Sequence, residues 1–138
     1  MLLLTSVTTW ALDYNEEIKT FFELFSTGKT VEAVDSIYRS NPWIQGAHDA
    51  VENLKTQLVG IERLVGNYNG NQKIGQIQIK DRFVHITYLV LFDRQPVRME
   101  FEFYRPADDW MVYSFSFDDE FDEEVEQAAR AQILDNLE

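Results

Sequence analysis

The stretch "RMEFEFYRP", Arg98 to Pro106, sets Glu100 and Glu102 two positions apart. Side chains alternate across a strand, so the two carboxylates share a face about 7 Å apart. That separation suits an acid–base pair. Spacing alone is not enough, because a carboxyl must be desolvated to hold a proton near neutral pH. Arg98, Ser114 and Ser116 belong to the same face, and they make it a solvated or interface surface. No catalytic residue is assigned. His85 would need a cleft to act as a base, and the register below places it on that same outer face, near Gln76 and Tyr104. A one-residue slip of its strand would turn it inward. His48 has Asp49 beside it but no second histidine placed to share a metal, so no metal ligands are assigned. The acidic run "DDEFDEEVE", Asp118 to Glu126, lacks the turn glycine and alternating ligands of a calcium loop. Its carboxylates suit the positive end of a helix. "GNYNG" is glycine-rich without being a phosphate loop, and no nucleophile elbow occurs. No cofactor is expected.

Such residues need a scaffold, and 138 residues suffice for one domain with one core. Hydrophobic residues make up 45% and aromatics 14%, enough for a ring-rich core. A net charge of −12 argues against nucleic acid and anionic membrane surfaces, both of which call for clustered Lys and Arg. With no cysteine, disulfides and thiolate zinc sites are excluded. Residues 1–12 stand apart from the domain at 13–138. Their apolar run ends in Thr9-Trp10-Ala11, whose small outer residues fit a signal-peptidase site. The basic start of a signal peptide is missing. The segment is therefore read either as the remnant of a signal, placing the protein in the periplasm or outside the cell, or as an ordinary N-terminal segment of a cytoplasmic protein. It is too short to span a bilayer.

Apolar periodicity predicts helices from Asp13 to Phe25 (Ile18, Phe21, Phe22, Phe25), from a Thr30 cap (Val31, Val34, Ile37, Tyr38), and from Ala47 (Val51, Leu54, Leu58, Ile61, Val65), this last ending either at Gly60, which weakens its last turn, or near Leu64. "GNYNGNQ" reads as a turn. The period then changes to two, predicting strands at 74–79, 82–92, 97–104 and 110–117 in an antiparallel meander. A last helix opens at Asp119 with Phe121, Val125, Ala129, Ile133 and Leu137 along one docking stripe.

Two-residue turns at Lys80-Asp81 and Arg94-Gln95 pair Ile77 with Val84 and Tyr88 with Phe101. An odd loop at Pro106 to Asp108 pairs Phe101 with Tyr113. The resulting inner face is nearly all apolar, with Ile77, Met111 and Tyr113 on it. The outer face carries His85, Leu89, Leu91, Arg98, Glu100, Glu102, Tyr104, Trp110 and Val112.

Three amphipathic helices followed by a meander ending in "FxFYRPADDWxVxSFSF" resemble the NTF2-like (cystatin-like fold) superfamily over roughly residues 13–118. The pieces "GNYNGNQKI", "FSFDD" and the Asp109-Trp110 pair also look like small bacterial proteins of unknown function with that fold. The resemblance implies an α+β domain: three N-terminal helices packed on a curved antiparallel meander sheet, with a C-terminal helix, forming a cone that is often dimeric and has a pocket at its open end. Enzymes of the superfamily place Asp, His or Tyr inside the cone.

The functional expectation is a non-enzymatic binding domain for a small apolar ligand or a protein partner. Tyr88, Tyr113, Tyr38 and Trp43 are its ligand-binding candidates, since aromatic rings with polar tips orient a ligand at a pocket mouth. Leu89, Leu91, Tyr104, Trp110 and Val112 are its interface candidates, as a homodimer through the outer sheet face. The rivals are an NTF2-like isomerase, dehydratase or hydrolase acting on a small hydrophobic substrate, and an acidic immunity or inhibitor protein.

Overall fold

The computed structural model describes residues 13–137. The readings made for residues 1–12 lie outside them. The chain runs α1 (Tyr14–Ser26), α2 (Thr30–Tyr38), a short 3-10 turn (Ile44–Ala47), α3 (His48–Val65), β1 (Tyr68–Ile79), β2 (Phe83–Phe92), β3 (Pro96–Tyr104), β4 (Met111–Asp118) and α4 (Phe121–Asp135). The strands form one open antiparallel sheet in meander order β1-β2-β3-β4. Three helices precede the sheet and one follows, an α+β architecture.

Helix α1 buries Tyr14, Ile18, Phe21, Phe22 and Phe25 on one stripe. Phe21 meets Phe101 edge-on at 5.3 Å between ring centroids and Phe115 at 5.1 Å. Such ring pairs add about 0.5–1.5 kcal/mol each beyond area burial. Thr30 is not the cap of α2. It is the first helical residue, and its hydroxyl donates to the Glu62 carboxylate of α3. The buried face of α2 is consequently Thr30, Ala33, Val34 and Ile37, and Val31 is exposed. Gly60 does not end α3, which runs on to Val65 and stops at Gly66, where φ is +91°. Between α2 and α3, Lys55 is buried and held by Asp35 at 2.6 Å and Glu52 at 2.8 Å. Those two hydrogen bonds, Asp35's foremost, raise its pKa.

From Tyr68 on, "GNYNGNQ" is strand, not turn. Tyr68 pairs with Phe92, and its ring packs on Phe25 and Phe92. Gly70, at φ +135°, absorbs a register shift there. The corner is tied down by Asp93, which accepts from the Asn67 N–H at 2.9 Å and from Asn69 Nδ2 at 2.9 Å. Local turn chemistry yields here to a long partner strand and an aromatic cluster.

Each hairpin register departs from expectation differently. Ile79 pairs with Phe83 across a three-residue turn in which Lys80 takes φ +49°. This one-residue shift places Ile77 opposite His85 on the outer face, 71% exposed, and leaves Gln76 and Gln78 opposite Ile86 and Val84. Burial selects a register only where a face is buried, and β1 is an edge strand with no buried residue. Val90, not Phe92, pairs with Val97. That slip of two preserves every facing, and Val84, Ile86, Val90, Val97, Met99, Phe101 and Phe103 form the core as expected. In β4 the register shifts between Glu102 and Phe103, so Tyr113 is an extra residue. A bulge of this kind reverses the facing of the residues on one side of it. Val112 becomes fully buried. Met111, opposite Tyr104, and Tyr113, 61% exposed, turn to the outer face. Trp110 turns inward against Tyr14, at 5.1 Å between ring centroids. The expected inward Tyr113 and outward Trp110 and Val112 are thereby corrected.

The expected docking of α4 is corrected as well. None of its described residues is buried, and Val125, Ile133, Leu134 and Leu137 are exposed. Its first turn is held at the sheet by Arg98, which donates to Asp118 at 2.8 Å and to both Glu124 oxygens at 2.6 and 3.0 Å. The Arg98 guanidinium also lies 5.8 Å from the centre of the Phe121 ring. The Glu124 bonds, ahead of Asp118, raise the Arg98 pKa further.

Candidate functional site

The outer sheet face unites the residues with which the sequence reading began. His85 pairs with Glu102 and Thr87 with Glu100 across β2 and β3. The imidazole lies between the two carboxylates, with Nδ1 3.2 Å from Glu102 Oε2 and Nε2 3.2 Å from Glu100 Oε1. Thr87 Oγ1 is 3.3 Å from Nε2. A ring protonated on both nitrogens can donate to both carboxylates, while a neutral ring can donate to one. Glu100 and Glu102 face Ser116 and Ser114 of β4. All three ionisable side chains are about 30% exposed on an open sheet face. Nothing among the described residues encloses them as a general acid or base requires.

Around this polar centre lies an aromatic and aliphatic surround. Tyr113 meets Phe83 at 5.7 Å and Tyr104 at 6.5 Å between ring centroids. Ile77 and Ile79 of β1 are exposed beside them. Leu89 and Leu91 lie opposite Arg98 and Pro96 toward the other end. Of the expected interface set, Leu89, Leu91 and Tyr104 share this face. Tyr113, Ile77, Ile79, Phe83 and Met111 join them. The sequence set Tyr113 inward as a ligand-binding candidate, because an aromatic at an alternating position reads as core unless the bulge is seen.

The four expected ligand-binding residues do not converge. Tyr88 lines a cleft of about 470 Å³ between α1 and the sheet, with Ile18, Phe22, Tyr68 and Asn71. Burial raises its hydroxyl pKa. Tyr38 lines a separate cleft of about 290 Å³ that includes His48 and Lys55. Burial raises its pKa too, partly offset by a hydrogen bond with the Phe115 backbone. Trp43 stands on a third groove with Trp110, and Tyr113 is on the outer face. Sequence distance hides this divergence, since helix packing alone decides which ring meets which.

The most perturbed carboxyl among the described residues is one the sequence did not flag. Glu17, on α1, is pushed up to about 7. Burial is the main cause and the Asp13 charge adds to it, while a hydrogen bond with Ser40 opposes both. Its Oε2 is buried with no hydrogen-bond partner. Glu17 lines a small cleft of about 230 Å³ between α1 and α2, but Oε2 is closed to solvent and so to a substrate. Among the described residues, no group of three or more His, Asp or Glu is arranged to hold a metal ion. No described helix is long and apolar enough to cross a membrane. In comparisons with known proteins, the chain matches no family model, no curated protein and no solved structure.

Proposed function

We propose that this chain is a non-enzymatic, NTF2-like binding domain whose outer sheet face pairs with a second copy. The order of three helices and then an antiparallel meander supports the superfamily reading. The observation that carries the binding role is the outer face itself, where Ile77, Ile79, Phe83, Tyr104 and Tyr113 surround a hydrogen-bonded polar centre, while helix α4 is tied to this face at Arg98 through its first turn. The face measures about 30 Å along the strands and about 19 Å across four of them. With side-chain relief, that approaches the roughly 800 Å² per partner of a standard interface. Sheet faces of two copies can stack about a two-fold axis, each presenting the same patch to the other.

A small apolar ligand remains a second reading. The Tyr88 cleft favours it, because its volume of about 470 Å³ lies in the range of roughly 300–1,000 Å³ typical of ligand sites.

Sedimentation equilibrium tests the main reading. The chain should be a dimer at micromolar concentration. Ile77→Asp and Tyr113→Asp, at 71% and 61% exposed sites, should yield folded monomers. A wild-type monomer at high micromolar concentration would refute the proposed pairing, as would dimers unaffected by either substitution.

A further inference from the structure

His85 of β2 stands between Glu102 and Glu100 of β3, with each carboxylate 3.2 Å from a different ring nitrogen. The Thr87 hydroxyl is the remaining neighbour, 3.3 Å from Nε2. The other strands bring no charge to this centre. β1 sets Ile79, Ile77 and Gly75 opposite Phe83, His85 and Thr87. Its one cation, Lys73, lies opposite Tyr88 and donates to Gln76, on the side of the helices. β4 sets Ser114 and Ser116 opposite Glu102 and Glu100.

The charges farther out do not reverse the sign of the face. Arg98 donates to Asp118 and to Glu124 of α4, a cluster with one net negative charge, and Asp119, Glu120, Asp122 and Glu123 deepen it. In the β2–β3 turn Asp93 and Arg94 cancel. At the opposite end Arg82 and Arg105 donate to the Ala107 and Asp108 carbonyls. With Lys80 they balance Asp81, Asp108 and Asp109. The centre itself carries two net negative charges with a neutral imidazole and one with an imidazolium. The face is negative in either state, and less so when the ring is charged.

We infer that pairing through the outer face is coupled to proton uptake at His85, so that acidification assembles the dimer and alkali releases it. This rests on the outer-face pairing proposed above. On the free face, water reaches the half-buried carboxylates. A second copy displaces that water, and a covered carboxylate without a donor is destabilising. A neutral ring donates to one glutamate, whereas an imidazolium donates to both. A two-fold axis sets this patch against its own copy, so a proton gained by each copy also weakens a like-charge repulsion. Both effects favour the protonated dimer. Histidine changes charge between about pH 5 and 8, and association that takes up protons tightens as pH falls through that window.

Sedimentation equilibrium of the full chain at about pH 8 and about pH 5.5, at one salt concentration, tests the coupling. The dimer dissociation constant should fall at least about tenfold on acidification. His85→Gln should keep the weaker affinity at both pH values. Glu100→Gln with Glu102→Gln should already pair tightly at about pH 8, which a mere loss of structure would not produce. Glu17→Gln and His48→Asn should retain the wild-type dependence, because Glu17 lies between α1 and α2 and His48 begins α3, both off this face. A dimer equally tight at both pH values, one looser in acid, or a dependence that survives in His85→Gln would overturn the coupling and leave the pairing standing. A monomer at both pH values would overturn the pairing and the coupling together.

Discussion

Glu17 illustrates how a single side chain acquires its chemistry from packing. Its carboxyl sits at the edge of the α1 stripe, where α2 closes over it and Asp13 lies nearby. Folding raises its pKa from 4.5 to about 7, so the folded state binds the proton more tightly than the unfolded chain. Stability from this group is fully present below about pH 4.5, falls as pH rises, and has been lost by about pH 7. Glu17→Gln should remove that decline, leaving a variant that melts higher than wild type at pH 8 and differs little at pH 4. Thermal melts across this range check it, and identical pH profiles for the two proteins would show that the carboxyl is solvated. At the same scale, Glu100 and Glu102 are not an isolated acid pair. The imidazole lies within hydrogen-bond reach of both carboxylates, donating to one of them when neutral and to both only when protonated on both nitrogens.

At the scale of elements, a periodic stripe and a buried stripe prove to be different things. Phe121, Val125, Ala129, Ile133 and Leu137 follow helical spacing, yet α4 buries none of its described residues and is held through Arg98 at its first turn. Val125→Asp should therefore cost less than about 0.5 kcal/mol, as surface changes do. Val112→Asp, on the bulged strand and fully buried, should cost several kcal/mol or abolish folding, because it places an unpaired charge in the core. Urea melts of the two variants check the pair. A large loss in Val125→Asp would mean that the α4 stripe is covered in solution. Val112 faces the core because of the extra residue at Tyr113, and Val125 is exposed because α4 buries none of its described residues.

For the whole molecule, the charge of −12 sets the character of association. Two copies brought face to face repel, and salt screens that repulsion within about 10 Å at 0.1 M. The proposed dimer should thus tighten as salt rises, which sedimentation at increasing ionic strength checks. Dimer dissociation on adding salt would point to charge-complementary contacts that the outer face does not display.

Much of the architecture was legible in the chain. The α1 stripe, the apolar face of α3, and the alternation of Val84 to Val90 and Val97 to Phe103 all reflect burial of one face, and burial writes a repeating pattern into sequence. The end of α3 at Val65 and the start of β1 at Tyr68, ahead of the expected Ile74, were not legible in this way. The placement of Glu100, Glu102 and His85 on the outer face followed from the same alternation, and a two-residue register error left it intact. What the tertiary structure alone decided lay where burial was weak or alternation broke. Edge strand β1 buries nothing, so its isoleucines gave no indication of facing. The β4 bulge reversed Trp110, Met111 and Val112, and no local residue type announces such an insertion. The seating of Trp43 beside Trp110, the separation of Tyr88 from Tyr38, and the desolvation of Glu17 all depend on contacts between residues far apart in sequence. Their physical cause is the packing of one element on another, which periodicity within a single element does not encode.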